Sequence, residues 1–213
     1  MTKIIASLFA GILLAASTAV AKPFEEGVQY VPVKPQPAVG SGDQVEVIEF
    51  FWYGCPHCRD FEPTLTKWAA GLPANVSLTQ MPVMFGGAAD LHAQVYYALE
   101  GMGELPRVHE KLFHAMHVEK RKLRTREAVD AFLEESGVDM DKYREAMNSF
   151  AVAAKVNRAR ALMRRYGIRG VPALVVDGRY RSGSGFRSYE EMTEVVDHMV
   201  DKVLAQRRAQ AEE

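Results

Sequence analysis

The sequence predicts an α/β fold in which a small sheet is interrupted by a block of helices. Three features carry this expectation. A strand–helix–strand pattern spans residues 45–85, helical periodicity dominates residues 88–166, and a hairpin signature follows at 173–182.

In chain order, "VPVKPQPAVGSGD" at 31–43 is rich in proline and glycine and cannot be helical; it predicts an extended lead-in with a short edge strand near Val28–Val33. "VEVIEFFW" at 45–52 is β-branched and aromatic with apolar residues on both faces, which fits a central strand covered on both sides. A helix starts at "CPHC", carries Pro63 inside it, where a kink is expected, and closes at Gly71 and Pro73. "VSLTQMPVMF" at 76–85 is the next strand, completing a βαβ unit. Five helical segments then follow, punctuated by Gly101, Gly103, Pro106 and Gly137. Asp177-Gly178 between two short β runs predicts a tight hairpin. Ser188 and Glu191 form a capping box that opens a last helix, expected to reach about Arg207. The resulting division is a leader at 1–21, a first sheet half at 22–85, a helical insert at 86–163, a second sheet half at 164–208 and a frayed tail at 209–213.

The chain begins with Lys3, an apolar run and Ala19-Val20-Ala21, the pattern of a cleavable secretory signal. Cleavage after Ala21 would leave Lys22 as the first residue. The full chain carries 26 basic and 27 acidic side chains, and residues 1–21 hold one lysine and no acid, so the remainder has a net charge of −2. That balance gives no global attraction to nucleic acid or to an anionic membrane surface. Two cysteines are too few for a disulfide scaffold, but export to an oxidising space lets a close pair cycle between dithiol and disulfide.

Both cysteines lie in "EFFWYGCPHCRDF", residues 49–61. At the start of a helix, Cys55 would meet unpaired backbone N–H groups and the positive end of the helix dipole, which favour thiolate over thiol. Pro56 suits the first turn, and His57 adds a nearby cation and donor. Cys58, nearly one turn later, is expected to be less exposed. A stabilised thiolate favours the reduced protein and makes its disulfide oxidising, by roughly 30 mV for each unit of thiol pKa below ambient pH. A structural bridge over so short a loop would stabilise little, and structural zinc wants four ligands, so no metal site and no cofactor are expected.

Glu49 shares a strand face with Val45, Val47 and Phe51; buried, it would titrate high and relay a proton to or from Cys58. Val171-Pro172 precedes the apolar run "ALVV", where a proline belongs at a strand start in either the trans or the cis form. "HEKLFH" at 109–114 has one residue too many for a zincin helix, and His114 and His117 read as surface or core side chains. The basic clusters at 120–126 and 158–165 read as solvated helix faces.

"EFFWYGCPHC" and "GIRGVPALVVDGRY", separated by a helical insert, resemble the DsbA family of thiol oxidases across nearly the whole of residues 22–213. The resemblance implies a thioredoxin-like fold with an inserted helical domain. Such proteins are standard examples of a depressed cysteine pKa and an oxidising bridge. It further implies that Cys55 is attacked by clients, Cys58 is the buried resolving cysteine, His57 stabilises the Cys55 thiolate, and Glu49 is the acid beneath the site. Val171-Pro172 would be the cis-proline loop that pairs with an extended client segment. The implied setting is the bacterial periplasm, the clients are newly exported reduced proteins, and the reoxidant is a DsbB-like, quinone-linked inner-membrane protein. Many family members pair the buried acid with a lysine where this chain has Gln80, so Glu49 is expected to keep its proton near neutral pH.

The expected function is therefore a monomeric periplasmic thiol:disulfide oxidase. Two alternatives stand beside it: a reductase or isomerase of the same fold, and a non-enzymatic client- or copper-binding module using Cys55, Cys58 and His57.

Overall fold

The computed structural model describes residues 24–38, 40 and 43–212. The expected signal segment at 1–21 and the new start at Lys22 lie outside the described residues.

The central strand forms where expected, as β2 at Val45–Phe51, with β1 at Tyr30–Pro32 before it. Helix α1 spans Pro56–Ala70, with Pro63 inside it and Gly71 as its C-cap. Strand β3 spans Val76–Pro82. It stops three residues short of Phe85 because its parallel ladder with β2 runs out at the pair Phe51↔Pro82. Helices α2 (Ala88–Gly101), α3 (Leu105–His117), α4 (Arg126–Glu135), α5 (Met140–Met147) and α6 (Phe150–Tyr166) follow. The hairpin strands β4 (Ala173–Val176) and β5 (Tyr180–Ser182) and the final helix α7 (Tyr189–Ala211) complete the chain.

The five strands form one mixed sheet in the order β1-β5-β4-β2-β3. β2 runs parallel to β3 and antiparallel to β4, and β5 joins β4 to β1 through antiparallel pairs. Asp177 and Gly178 both have positive φ, 53° and 62°, and Arg179 N–H donates to the Val176 carbonyl at 2.9 Å. These are the marks of the tight hairpin turn whose twist matches the strands it joins.

Two apolar clusters flank the sheet. Val45 and Val47 of β2 pack with Phe61 and Leu65 of α1 and Val196 and Met199 of α7. Ile48 and Phe50 point the other way, into the larger cluster built with the helices between β3 and β4. β2 is thus covered on both faces, as its unbroken apolar run requires.

One expected domain border and one helix end differ from expectation. α6 continues through Tyr166 to a left-handed Gly167 cap at φ 64°, so the border expected at 163/164 falls inside a helix. α7 runs through Ala211, and the segment expected to fray at 209–213 is helical over its first three residues. Half of the expected capping box is formed at its start: Ser188 Oγ accepts from Glu191 N–H at 3.1 Å, while the Glu191 carboxylate accepts from Arg187 N–H at 2.5 Å. Among the described residues no helix is long and apolar enough to cross a membrane.

Candidate active site

β2 ends at Phe51, and the chain turns through Trp52, Tyr53 and Gly54 into α1. Cys55 N–H closes that turn on the Trp52 carbonyl at 2.9 Å. Cys55 is the N-cap of α1, in extended conformation, and Pro56 fills the first helical turn where no N–H is needed. Both cysteines are free thiols. Cys55 is 9% exposed and Cys58 is fully covered, at 0%.

The two sulfurs titrate in opposite directions. A hydrogen bond from the Cys58 thiol holds Cys55 well below the usual thiol range, at about 6; partial burial opposes this, and the Cys58 and His57 N–H groups and the His57 charge add to it. The same hydrogen bond, reinforced by burial and by the charges of Cys55 and Glu49, pushes Cys58 far up. One sulfur is therefore poised as nucleophile and leaving group, and the other as a protonated partner. The neutral Cys55 thiol makes no capping bond. Its Sγ lies 3.4 Å from the Val171 carbonyl, a contact that the anion cannot keep.

That carbonyl belongs to the Val171-Pro172 peptide, which is cis. His57 is exposed, with Nδ1 3.4 Å from the Tyr189 hydroxyl. His57, Val171, Pro172, Phe186, Tyr189 and Met192 line a groove of about 410 Å³ beside the dithiol.

Glu49 is fully buried, at 0% exposure. Burial, helped by repulsion from Glu62, pushes its carboxyl up to about 8 against the Gln80 hydrogen bond. Gln80 sits opposite Glu49 in the β2–β3 register and donates to its Oε2 at 2.9 Å. The same amide nitrogen lies 3.2 and 3.3 Å from the two oxygens of Glu62 on α1. Glu62 in turn lies 3.3 Å from His109 Nε2, within ion-pair range.

All seven residues singled out from the sequence, Glu49, Cys55, Pro56, His57, Cys58, Val171 and Pro172, thus lie at the junction of β2, α1 and β4. Sequence reasoning did not single out Glu62, Tyr53 or His92, and it weighed His109 and His117 only as a near-zincin spacing and as surface or core side chains. Glu62 carries a usable signal, because it follows Cys58 by one helical turn and so shares its face. The others act across the boundary between sheet and insert, where sequence spacing carries no information. His114 is exposed and pairs with Glu119 at 3.1 Å. Arg121, from the first basic cluster, pairs with Glu135 at 2.6 Å, and Arg160, from the second, with Asp90 at 3.3 Å.

A dithiol at the amino end of a helix, set against a proline loop on this sheet, defines a thiol:disulfide oxidoreductase of thioredoxin-like fold. The chain belongs to the DsbA family: residues 46–197 match the profile of the DSBA-like thioredoxin domain. The thiol:disulfide interchange protein DsbA of Pseudomonas aeruginosa PAO1 is 38% identical over 203 residues, covering 95% of this chain and 96% of that protein. That of Azotobacter vinelandii is 40% identical over 177 residues, covering 83% of each. The crystal structure of Pseudomonas aeruginosa DsbA superposes with a TM-score of 0.79 over 89% of this chain and 97% of that one, at 38% identity. The oxidoreductase DsbA from Xylella fastidiosa gives 0.76 over 86% and 98%, at 29% identity.

Proposed function

We propose that this protein is a periplasmic dithiol oxidase that donates its Cys55–Cys58 disulfide to newly exported proteins. The observation that carries this reading is the opposed titration of the two sulfurs, with Cys55 held near 6 and Cys58 pushed up. A thiolate stabilised only in the reduced protein draws electrons from ordinary thiols.

In the first step a client thiolate attacks Cys55 Sγ. The Cys55–Cys58 bond breaks, a mixed disulfide forms, and Cys58 leaves with the electron pair. Glu49, still protonated near neutral pH and close enough for its charge to act on Cys58, supplies the proton. In the second step the client's other thiolate attacks its own sulfur in the mixed disulfide and expels the Cys55 thiolate. The client gains a disulfide, and the enzyme keeps two electrons. The backbone at Val171 and the groove bounded by Phe186, Tyr189 and Met192 receive the client segment around its cysteine. A DsbB-like, quinone-linked membrane protein would remove the electrons, and the protein would act as a monomer.

The experiment is the equilibrium of the Cys55–Cys58 pair against a glutathione buffer, with oxidation of a reduced peptide as the activity. The expected result is a bridge that glutathione reduces readily and a Cys55→Ser variant that oxidises nothing. A bridge as hard to reduce as a structural crosslink points to the reductase alternative, and retained activity in Cys55→Ser rejects the assignment of the attacked sulfur.

A further inference from the structure

The helices between β3 and β4 reach the active-site turn through three histidines. The Trp52 indole N–H donates to His92 Nδ1 at 3.0 Å, and the opposite ring nitrogen, Nε2, lies 2.6 Å from the Leu123 carbonyl. An indole can only donate and a carbonyl can only accept, so the neutral ring carries its hydrogen on Nε2 and both bonds demand the same tautomer. One residue further on, the Tyr53 hydroxyl lies 2.7 Å from His109 Nδ1, and the Tyr53 carbonyl accepts from His117 Nε2 at 2.7 Å. His92 is 2% exposed and Tyr53 is 0% exposed.

The Trp52 ring lies against the turn itself. A methyl group at Gly54 would overlap the indole at Cε2, Cζ2 and Cη2, so the ring and the Gly54 backbone are in close contact. The Trp52 carbonyl also anchors Cys55 N–H. We propose that His92 is a positioning residue for Cys55: by holding the Trp52 indole against Gly54, the helical insert fixes the turn that presents the sulfur to the amino end of α1. The inference rests on Cys55 being the attacking cysteine. The physical reason is directional. The N–H groups of His57 and Cys58 favour the thiolate only while the sulfur lies along their axes, and hydrogen bonds weaken steeply as that alignment is lost. Without its acceptor, the half-buried indole N–H turns toward water, and the ring leaves Gly54 free to shift.

The test uses the full chain and three variants: His92→Phe, Trp52→Phe and the double change. Thiolate absorbance gives the Cys55 titration midpoint, and a glutathione buffer gives the redox equilibrium. Each single variant is expected to raise the midpoint and to shift the equilibrium toward the bridged form by about threefold or more, the scale of one lost hydrogen bond. The double variant should shift it no further than the larger single effect, because both changes remove one bond. His92→Gln, which offers an acceptor and a donor, should recover part of the loss. An unmoved midpoint and equilibrium in both single variants, or effects that multiply, would overturn the proposal. Should His92→Phe fail to fold, His92→Leu takes its place, since it removes the acceptor and leaves intact the Trp52 ring that lies against Gly54. A wild-type midpoint like that of free cysteine would defeat the oxidase reading itself; a depressed wild-type midpoint that neither variant moves would defeat only the role of His92.

Discussion

The Gln80 carboxamide donates to the buried Glu49 carboxyl at 2.9 Å from the facing position on the neighbouring strand. A neutral amide satisfies one oxygen but brings no charge, and Glu49 Oε1 is buried without a partner. Burial, helped by repulsion from Glu62, therefore prevails over that bond and pushes the carboxyl up to about 8 from an ordinary 4.5. Between those values the folded protein holds a proton that the unfolded chain releases, so this group's contribution is full below about 4.5 and is lost as pH rises through 8. Infrared spectroscopy at pH 7 should show a protonated carboxyl that Glu49→Gln removes and Gln80→Lys converts to carboxylate. Glu49→Gln should also gain stability relative to wild type as the pH is raised from about 4.5 to 8, with no further gain above 8. A carboxyl that titrates near 4 would remove Glu49 from the proton transfer.

Cys55 has the opposite sign. Its thiol titrates at about 6 in the folded reduced protein against 9 for an unperturbed thiol. Within that window the unfolded chain holds the proton, so stability rises with pH and is lost as pH falls through 6. The bridged form has no such thiol. The melting temperature of the reduced protein minus that of the oxidised protein should therefore rise from pH 6 to pH 9 and level off below 6. A gap that stays constant across this range would contradict the thiolate assignment.

The causes of the Cys55 shift also have an order. The hydrogen bond from Cys58 acts most strongly and the His57 charge least. Cys58→Ala should raise the Cys55 midpoint by more than about one unit, and His57→Ala by less, one unit being a factor of ten in the thiolate equilibrium. Thiolate absorbance against pH reads both. A larger effect at His57 would mean that the exposed imidazole, rather than the buried thiol, sets the nucleophile.

Much of this was legible in the sequence because local chemistry dictates it. "VEVIEFFW" is apolar on both faces, and β2 is covered on both. Asp177-Gly178 can adopt the two positive φ angles of a tight turn, and it does. "CPHC" puts a cysteine before a first-turn proline, which is how Cys55 becomes an N-cap. What stayed hidden depends on contacts between distant segments. His92 follows Trp52 by 40 positions and His117 follows Tyr53 by 64, and no periodicity relates them. The end of the last helix was misjudged by a few residues for a local reason: "AQA" at 209–211 has no stop signal, and the helix continues through it.

Two glycines give predictions of opposite sign, and both follow from the space around them. Gly183 N–H donates to the Gln29 carbonyl at 2.7 Å, and Ser184 N–H donates to the Val28 carbonyl at 2.9 Å, so the chain after β5 lies directly on the segment before β1. A methyl group at Gly183 would overlap the Val28 carbonyl, which is backbone and cannot swing aside. Gly183→Ala should cost about 1–3 kcal/mol, the usual range for overpacking, or roughly 2–12 °C in melting temperature for a chain of this size. Gly101 is the last residue of α2, has no positive φ and would place a methyl group in open space. Gly101→Ala should therefore stabilise by up to about 1 kcal/mol, because alanine has less backbone freedom to lose on folding. Thermal melts of both variants decide the matter. Cys55 titration should be unchanged in Gly101→Ala, whose position at the end of α2 is remote from the groove that Gly183 helps to line. A stable Gly183→Ala protein would mean that the segment at 28–29 yields without cost, and that the edge of the sheet bordering the groove is far softer than its hydrogen bonds imply.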